Sequence, residues 1–371
     1  RVGEQECLNK YHMTMPGKFV LQKIMREMVD AECTFCVVET TSEGIKQWRH
    51  IGVDYDIAVF TNLSPEHLAS HENDFEKYKQ AKGKMFAMLN VKKRKTIDGR
   101  QVEKVIVANF DDENKDFFLN FSADKKITFG FSNEAAPAVG GASIVARDVV
   151  EMPDGVMFKI GNVDYQLNIL GKFNVYNALP AIAIAKFFDI SDEVIVRGLA
   201  ALKMIPGRME EISHGQNFRV FVDYAHEAKS MEAALSATRK IVGNGRLIVL
   251  LGAEGGGRDK AKRPAMGKIA GQLADFVIVS NVDPYEDDPA AILRDIKIGA
   301  EEQGKIENIN LFVIADRRSG IRRALKLAND DHASGGVVLI TGKGAEQSIT
   351  IAGVRYPWDD RGVVKEELAK I

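Results

Sequence analysis

Apolar residues recur along the chain in two rhythms. Runs of strand length alternate with stretches of helical period through most of it, which predicts α/β layers built on parallel sheets. Buried strands are expected at residues 34–40, 56–61 and 104–109, with helices over 19–29 and 75–88. Between 125 and 170 the runs shorten, with turns at Pro153-Asp154-Gly155 and Gly161-Asn162, as in a small antiparallel sheet. Residues 174–188, rich in Ala, Leu and Ile, are expected to be helical.

A second α/β series follows Pro206-Gly207. Its expected strands are 219–223, 247–252, 276–280, 311–315 and 337–341, with intervening helices such as 231–241 and 290–301. A boundary near Met204 gives two domains, 1–204 and 205–371, joined by a short Pro/Gly linker. In open α/β sheets ligands collect beyond the carboxyl ends of the strands. Polar clusters stand there after residues 38, 60, 222 and 251, so a cleft between two facing lobes is expected.

Composition narrows the class. With 45% hydrophobic and 27% charged residues among 371, the chain can bury real cores and is not of disordered type. Fifty Lys and Arg against 52 Asp and Glu give a net charge of −2, too balanced for a dedicated nucleic-acid or membrane-surface protein. Cys7, Cys33 and Cys36 are too few for a disulfide framework and imply a reducing compartment. The Cys33/Cys36 pair has no second ligand pair nearby and is expected as buried thiols rather than a zinc or redox site. No apolar run approaches the roughly 18–20 residues of a membrane span. The opening Arg1-Val2-Gly3-Glu4 has neither a signal-peptide pattern nor an initiator Met, so the true beginning is expected to lie upstream.

Several clusters carry candidate chemistry. Glu39 leaves an apolar run beside Thr40, Thr41 and Ser42; a carboxylate there suits Mg²⁺, and a helix N-cap is the alternative. His67 and His71 lie four apart without the HExxH pattern, so they read as a metal pair or as capping and surface residues. Lys77, Lys79, Lys82 and Lys84 share one helix, where a solvated face is the plain reading. The turn Gly255-Gly256-Gly257-Arg258-Asp259-Lys260, followed by Lys262 and Arg263, reads as an anion site that matches no named nucleotide motif. Glu346, in Gly342-Lys343-Gly344-Ala345-Glu346, suits a cationic group or belongs to a plain turn, and Lys92 to Lys95 reads as the charged arm of a hairpin.

The order of these clusters is more specific than any one of them. Glu39-Thr40-Thr41-Ser42-Glu43-Gly44, Phe60-Thr61-Asn62-Leu63-Ser64-Pro65-Glu66-His67-Leu68, Phe173-Asn174-Val175-Tyr176-Asn177, Pro206-Gly207-Arg208, Asp223-Tyr224-Ala225-His226, Gly257-Arg258-Asp259-Lys260 and Gly342-Lys343-Gly344 together resemble the Mur ligase family over nearly the whole chain. The match is best to the branch that adds the third residue of the peptidoglycan stem peptide. The resemblance implies a central nucleotide-binding α/β domain with a small antiparallel subsheet, and a C-terminal Rossmann-like α/β domain. It implies a cytoplasmic, monomeric ligase of cell-wall synthesis that uses ATP and Mg²⁺, without nucleic-acid or membrane partners. The carboxylate of UDP-MurNAc-L-Ala-D-Glu would become an acyl phosphate, and the amine of a diamino acid would displace phosphate. Metal ions and Arg/Lys clamps would stabilise the phosphoryl charge.

Carried over by position, the resemblance implies Mg²⁺ at Glu39, His67 and a carbamylated Lys82. It puts Thr14, Thr41, Gln47 and Arg49 on the UDP-muramoyl peptide and Asn174, Asn177, Arg208, Asp223 and His226 on ATP. Arg258 and Glu346 would face the incoming amino acid.

Departures matter as well. The family's GTNGKT[TS] phosphate loop is expected upstream of Thr14, and without it the chain is expected not to hydrolyse ATP. Glu66 and Glu43 replace a usual Asp and His. Where members selecting meso-diaminopimelate carry Asp-Asn-Pro-Arg, this chain has Val282-Asp283-Pro284-Tyr285, which points to another amino acid such as L-lysine. The alternatives are another amide ligase of the superfamily, of folylpolyglutamate or cyanophycin synthetase type, and a non-catalytic nucleotide or UDP-sugar binder.

Overall fold

The computed structural model describes residues 2–3, 5–6, 14–65, 68–90, 94–97, 99–131, 143–330 and 336–371. Its elements form two compact units, one of residues 1–147 with 176–191, the other of 148–175 with 192–371.

The first unit carries α1 (Lys18–Asp30), α2 (Ser42–Lys46), β1 (Ile57–Phe60), α3 (Phe75–Ala87), β2 (Thr96–Ile97), β3 (Arg100–Gln101), β4 (Val105–Asn109), α4 (Lys115–Leu119) and β5 (Lys125–Gly130). β1, β4 and β5 pair in parallel in that order, and the start of β6 (Ser143–Met152) pairs in parallel with β5. The core packs Ala58, Phe60, Ile106 and Ala108 against Tyr78 and Phe86 of α3 and Phe118 of α4. Asp74 starts α3 by accepting the Glu76 and Lys77 N–H groups, at 2.8 and 3.1 Å. β2 and β3 pair antiparallel directly after the expected charged arm, of which Lys92 and Lys93 lie outside the described residues, while Arg94 and Lys95 precede β2 and pair with Asp124 and Asp56.

One expectation fails here. Residues 34–40 form no strand, and Phe35 and Val37 are 57% and 93% exposed. Apolar residues specify an extended run, but a strand exists only where a partner supplies backbone hydrogen bonds. The segment is held instead by an edge contact of Phe35 with Phe188 and by Thr40 Oγ1 to Tyr55 OH, 3.0 Å. The expected buried thiols fail with it: Cys36 is exposed and Cys33 half-buried, while Cys7 lies outside the described residues.

In the second unit, the later part of β6 is followed by the antiparallel pair β7 (Gly155–Ile160) and β8 (Val163–Leu167). The antiparallel region is therefore narrower than predicted, because β5 belongs to the parallel ladder. Next come α5 (Phe173–Phe187), whose helix continues into the first unit, and α6 (Asp192–Ala201).

The remaining elements are β9 (Glu210–Glu211), β10 (Arg219–Val222), α7 (Ala228–Val242), β11 (Leu247–Leu251), α8 (Lys262–Leu273), β12 (Phe276–Val279), α9 (Pro289–Glu301), β13 (Leu311–Val313), α10 (Arg317–Asn329), β14 (Val337–Ile340), β15 (Ser348–Ile351), β16 (Val354–Pro357) and α11 (Asp360–Leu368). The sheet order is β13-β12-β11-β14-β10-β9, parallel except for β9. Leu247, Val249 and Leu251 face one core with α7, α8 and α9, whereas Ile248 and Leu250 face the other with α10 and α11. That two-residue alternation in an all-apolar strand is what a sheet covered on both faces requires.

β14 returns from the far edge to lie between β10 and β11, so the loops after these three strands stand side by side at the carboxyl ends, where open α/β sheets bind ligands. A buried fork fixes one of these loops. Arg317 reaches Asp360 through Nε and Nη2, at 2.8 and 2.6 Å, and donates to the Thr341 carbonyl at 2.7 Å. The loop after β14 is thereby tied to α10 and α11. Among the described residues, no helix is long and apolar enough to cross a membrane.

Candidate active site

In the first unit, Glu39 is exposed at the end of the unpaired segment. Thr41 is the N-cap of α2, its hydroxyl accepting the Gly44 N–H at 3.0 Å, so the cap alternative describes its local role. Thr14 and Gln47 are exposed. Arg49 donates to the Met15 carbonyl at 2.7 Å and to the Gln47 side chain. Gln47 and Arg49 line an open concavity of about 550 Å³ together with Gly17, Lys18, Phe19, Val20 and Trp48.

Lys82 is half-buried on α3, its ammonium 5.0 Å from the Tyr78 ring centroid. His67 lies outside the described residues, whereas His71 is buried with Nε2 3.1 Å from Ser42 Oγ. Among the described residues, no three His, Cys, Asp or Glu side chains gather as a metal cluster. The donor chemistry nevertheless fits Mg²⁺, which needs only one or two protein oxygens besides substrate phosphates. Glu39 supplies such oxygens, and Lys82 would do so only when carbamylated.

The sequence reading missed a polar stitch at the ends of β1 and β4. Asn109 donates to the Thr61 carbonyl at 2.8 Å, and Asp112 accepts the Leu63 N–H at 2.9 Å. Asp111 accepts the Phe131 N–H at 2.6 Å and the Tyr176 hydroxyl at 2.9 Å. Burial and the Asp111 carboxylate push the Tyr176 phenol well above its ordinary range. The signal was available in Asn109-Phe110-Asp111-Asp112, directly after an apolar run.

In the second unit, Arg208, Asp223, His226 and Glu346 gather around Tyr224. The Arg208 guanidinium lies 4.6 Å from its ring centroid, and the His226 ring meets it edge-on at 4.6 Å. The Tyr224 hydroxyl donates to Glu346 Oε1 at 2.8 Å. Burial, then Glu346, drives that phenol far above its usual range, so it stays a donor. Asp223 is buried and accepts the Met209 and Ala225 N–H groups, each at 2.8 Å. Burial pushes its carboxyl up, and the two N–H groups work against that. His226 Nδ1 is 2.8 Å from the Tyr224 carbonyl.

Glu346 also accepts from Lys343, whose buried ammonium lies 2.6 Å from Asp283 Oδ2. Tyr224, Lys343 and Asp283 are site residues that reading by charge alone did not single out. The remaining positions are dispersed. Asn174 is buried, its amide donating to the Leu170 carbonyl at 2.7 Å, while Asn177, three residues on along α5, is exposed.

The glycine-rich turn is less cationic than predicted. Lys262 is buried between Glu227 and Glu254, at 2.6 and 2.9 Å, and Arg263 pairs with Asp295 and Asp287. A buried cation is tolerable only when paired, so the helix-start charges are balanced internally. Arg258 and Lys260 stay exposed on the turn. Burial raises the Glu254 carboxyl, but Lys262 and His226 outweigh it and hold the group below its ordinary range.

Two family profiles match the chain. The Mur ligase middle domain matches residues 2–185, and the Mur ligase, glutamate ligase domain matches residues 207–344. The chain belongs to the Mur ligase family. It is 35% identical over 382 residues to the UDP-N-acetylmuramyl-tripeptide synthetase of Roseiflexus sp. (strain RS-1), covering 100% of this chain and 72% of the relative. It is also 35% identical to the UDP-N-acetylmuramoyl-L-alanyl-D-glutamate–2,6-diaminopimelate ligase of Geobacillus kaustophilus (strain HTA426), covering 95% of this chain and 68% of that one. A solved structure of a ligase of the latter name aligns with 29% identity and a TM-score of 0.58, over 96% of this chain and 68% of that chain. The folylpolyglutamate synthase of Mycobacterium tuberculosis shares the fold, with a TM-score of 0.66 at 18% identity over 95% of this chain and 71% of that chain.

Proposed function

We propose that this chain supplies the central and C-terminal domains, divided near Met204, of an ATP-dependent ligase. The enzyme joins a diamino acid to UDP-MurNAc-L-Ala-D-Glu in peptidoglycan synthesis. The observation that carries the reading is the gathering of Arg208, Asp223, His226 and Glu346 around Tyr224, in a chain 35% identical throughout to a tripeptide synthetase. The uncommon Asp-Tyr-Ala-His order and the loop after β14 meet at that cluster.

ATP, when bound, supplies the phosphoryl group that activates the acceptor carboxylate, and Mg²⁺ offsets the charge on its phosphates. Glu39, His67 and Lys82, once carbamylated, would hold the metal, while Thr14, Thr41, Gln47 and Arg49 would orient the acceptor. Arg208 faces the nucleotide with its guanidinium fixed on the Tyr224 ring. Asp223 holds the Met209 and Ala225 backbone, and His226 stands on the same loop. Asn174 and Asn177, on α5, would contact the nucleotide. Glu346 accepts a hydrogen bond from the amino-acid ammonium, and Arg258 pairs with its carboxylate.

The test is direct. The full-length gene product is incubated with ATP, Mg²⁺, UDP-MurNAc-L-Ala-D-Glu and single amino acids, and products are read by mass spectrometry. A species heavier than the acceptor by one amino acid less water, formed with stoichiometric ADP and phosphate, is expected. ADP formation without such a species, or binding without turnover, would reject the ligase reading.

A further inference from the structure

The residues that close α2 carry more than its chain reversal requires. Trp48 N–H donates to Ile45 O at 3.0 Å and Arg49 N–H to Gly44 O at 2.9 Å, the paired bonds of a Schellman helix end. The residue between them takes a left-handed backbone, and glycine is the usual occupant. Here it is Trp48, at φ +57°, with 66% of its surface exposed. A bulky side chain at positive φ strains the backbone, and this one recovers little by burial. Its ring lies nearly parallel to that of His50, at 6.4 Å. His50 is buried and its Nδ1 has no partner among the described residues; burial lowers its pKa, so a neutral imidazole backs the indole.

Across the 550 Å³ concavity, Phe19 is 80% exposed at the start of α1. Lys18 stands over the Phe19 ring at 5.1 Å, and Arg49 is bound to a carbonyl and an amide oxygen. Among the described residues, no carboxylate pairs with either cation. The concavity thus offers two aromatic faces and two uncompensated positive charges, which suit a ligand with an apolar CH face and carboxylates. A nucleotide could meet the same groups through its base and phosphates. The muramoyl dipeptide is favoured because Gln47 and Arg49, the residues assigned to the acceptor's peptide arm, line the same concavity, which its sugar and lactyl-alanyl CH groups and its glutamate carboxylates would fill.

We infer that Trp48 and Phe19 are positioning residues that pack against the muramoyl-dipeptide arm of the acceptor, and that Lys18 joins Arg49 in binding its carboxylates. This rests on the ligase reading and adds the determinant that separates the complete acceptor from its nucleotide handle.

The two tryptophans make the test selective, since Trp358 is half-buried in the second unit with Nε1 bonded to Asp360 at 2.8 Å. UDP-MurNAc-L-Ala-D-Glu added to the full-length protein is expected to blue-shift emission and reduce acrylamide quenching. Trp48→Phe should abolish both changes, and UDP alone should cause neither. Trp48→Gly and Trp48→Asn relieve the backbone, so their thermal midpoints should hold or rise while the acceptor's Kd and KM increase about tenfold, with kcat within twofold. Lys18→Ala should weaken binding about fivefold, a loss reduced by salt.

If calorimetry detects acceptor binding while Trp48 emission is unmoved and Trp48→Asn binds normally, this inference falls and the ligase reading stands. A shift with UDP alone also overturns it. No binding of the acceptor by the unaltered protein overturns both.

Discussion

Lys343 Nζ lies 2.6 Å from Asp283 Oδ2, with 1% of the lysine side chain and 8% of the aspartate side chain exposed. The pair joins the loop after β14 to the loop after β12. Asp283 is further fixed by the Thr350 N–H on Oδ1 at 2.6 Å, and the same ammonium holds Glu346. One cation therefore sets the orientation of the carboxylate assigned to the incoming amine.

Removing that cation should cost both stability and binding. Lys343→Met leaves Asp283 buried without its counter-charge, an arrangement that typically costs about 3–5 kcal/mol. A urea denaturation midpoint measures the first effect. A higher KM for the amino acid, with the acceptor's KM unchanged, measures the second. A variant as stable as the unaltered protein would show that the ion pair does not hold this loop.

Tyr224 separates the hydroxyl's role from the ring's. Tyr224→Phe keeps the surface under Arg208 and His226 but deletes the 2.8 Å bond to Glu346. A stability loss of about 1.5–3 kcal/mol is expected, as for a hydrogen bond to a charged group. The KM for the amino acid should rise several-fold, and the KM for ATP should stay put because the ring contacts remain. Tyr224→Leu should raise both. Equal effects of the two variants would argue against this division of labour.

The acid limb of stability should be shaped by Glu367. Arg322, with Lys370 and Arg318, holds its carboxyl at about 2, below the ordinary carboxylate range. A depressed folded-state pKa stabilises above the unfolded value of about 4.3. That contribution is lost as pH falls from there through about 2. Glu367→Gln should therefore be less stable than the unaltered protein at pH 6, and the gap should close by pH 2. A gap independent of pH, followed by urea titration at each pH, would assign the difference to packing.

Much of this architecture is legible because local signals agree with tertiary context. The second-unit strands match their apolar runs to within two residues, since a parallel sheet covered on both faces leaves nothing polar inside the run. Residues 34–40 carry a similar signal and fail, because periodicity cannot report whether a partner strand is present. The site is legible in part for a related reason. Asp223, Tyr224 and His226 are adjacent in sequence, so one strand end delivers all three. The pairing of Lys262 with Glu227, or of Lys343 with Asp283, joins loops far apart in the chain, and only the sheet order brings them together.

Amino-acid choice is the last point at which sequence and geometry meet. Tyr285 occupies the position where the family resemblance places an arginine in members selecting meso-diaminopimelate. It is held at φ +53°, its N–H on Thr350 O at 3.3 Å, its carbonyl accepting Ala352 N–H at 2.7 Å, and its ring close over Gly256. A phenol cannot form the bidentate pair that a guanidinium makes with a second carboxylate. An L-lysine side chain, lacking that carboxylate, loses nothing by the exchange. The enzyme is therefore expected to prefer L-lysine, although the Geobacillus kaustophilus relative, 35% identical, is named a diaminopimelate ligase. Phosphate release with each amino acid gives the ratio of kcat/KM values. Tyr285→Arg should shift that ratio toward meso-diaminopimelate by about ten- to a hundredfold, as one charge-assisted pair permits. A parent enzyme that already favours meso-diaminopimelate, with no gain from Tyr285→Arg, would place recognition of the second carboxylate elsewhere, with Arg258 the next residue to replace.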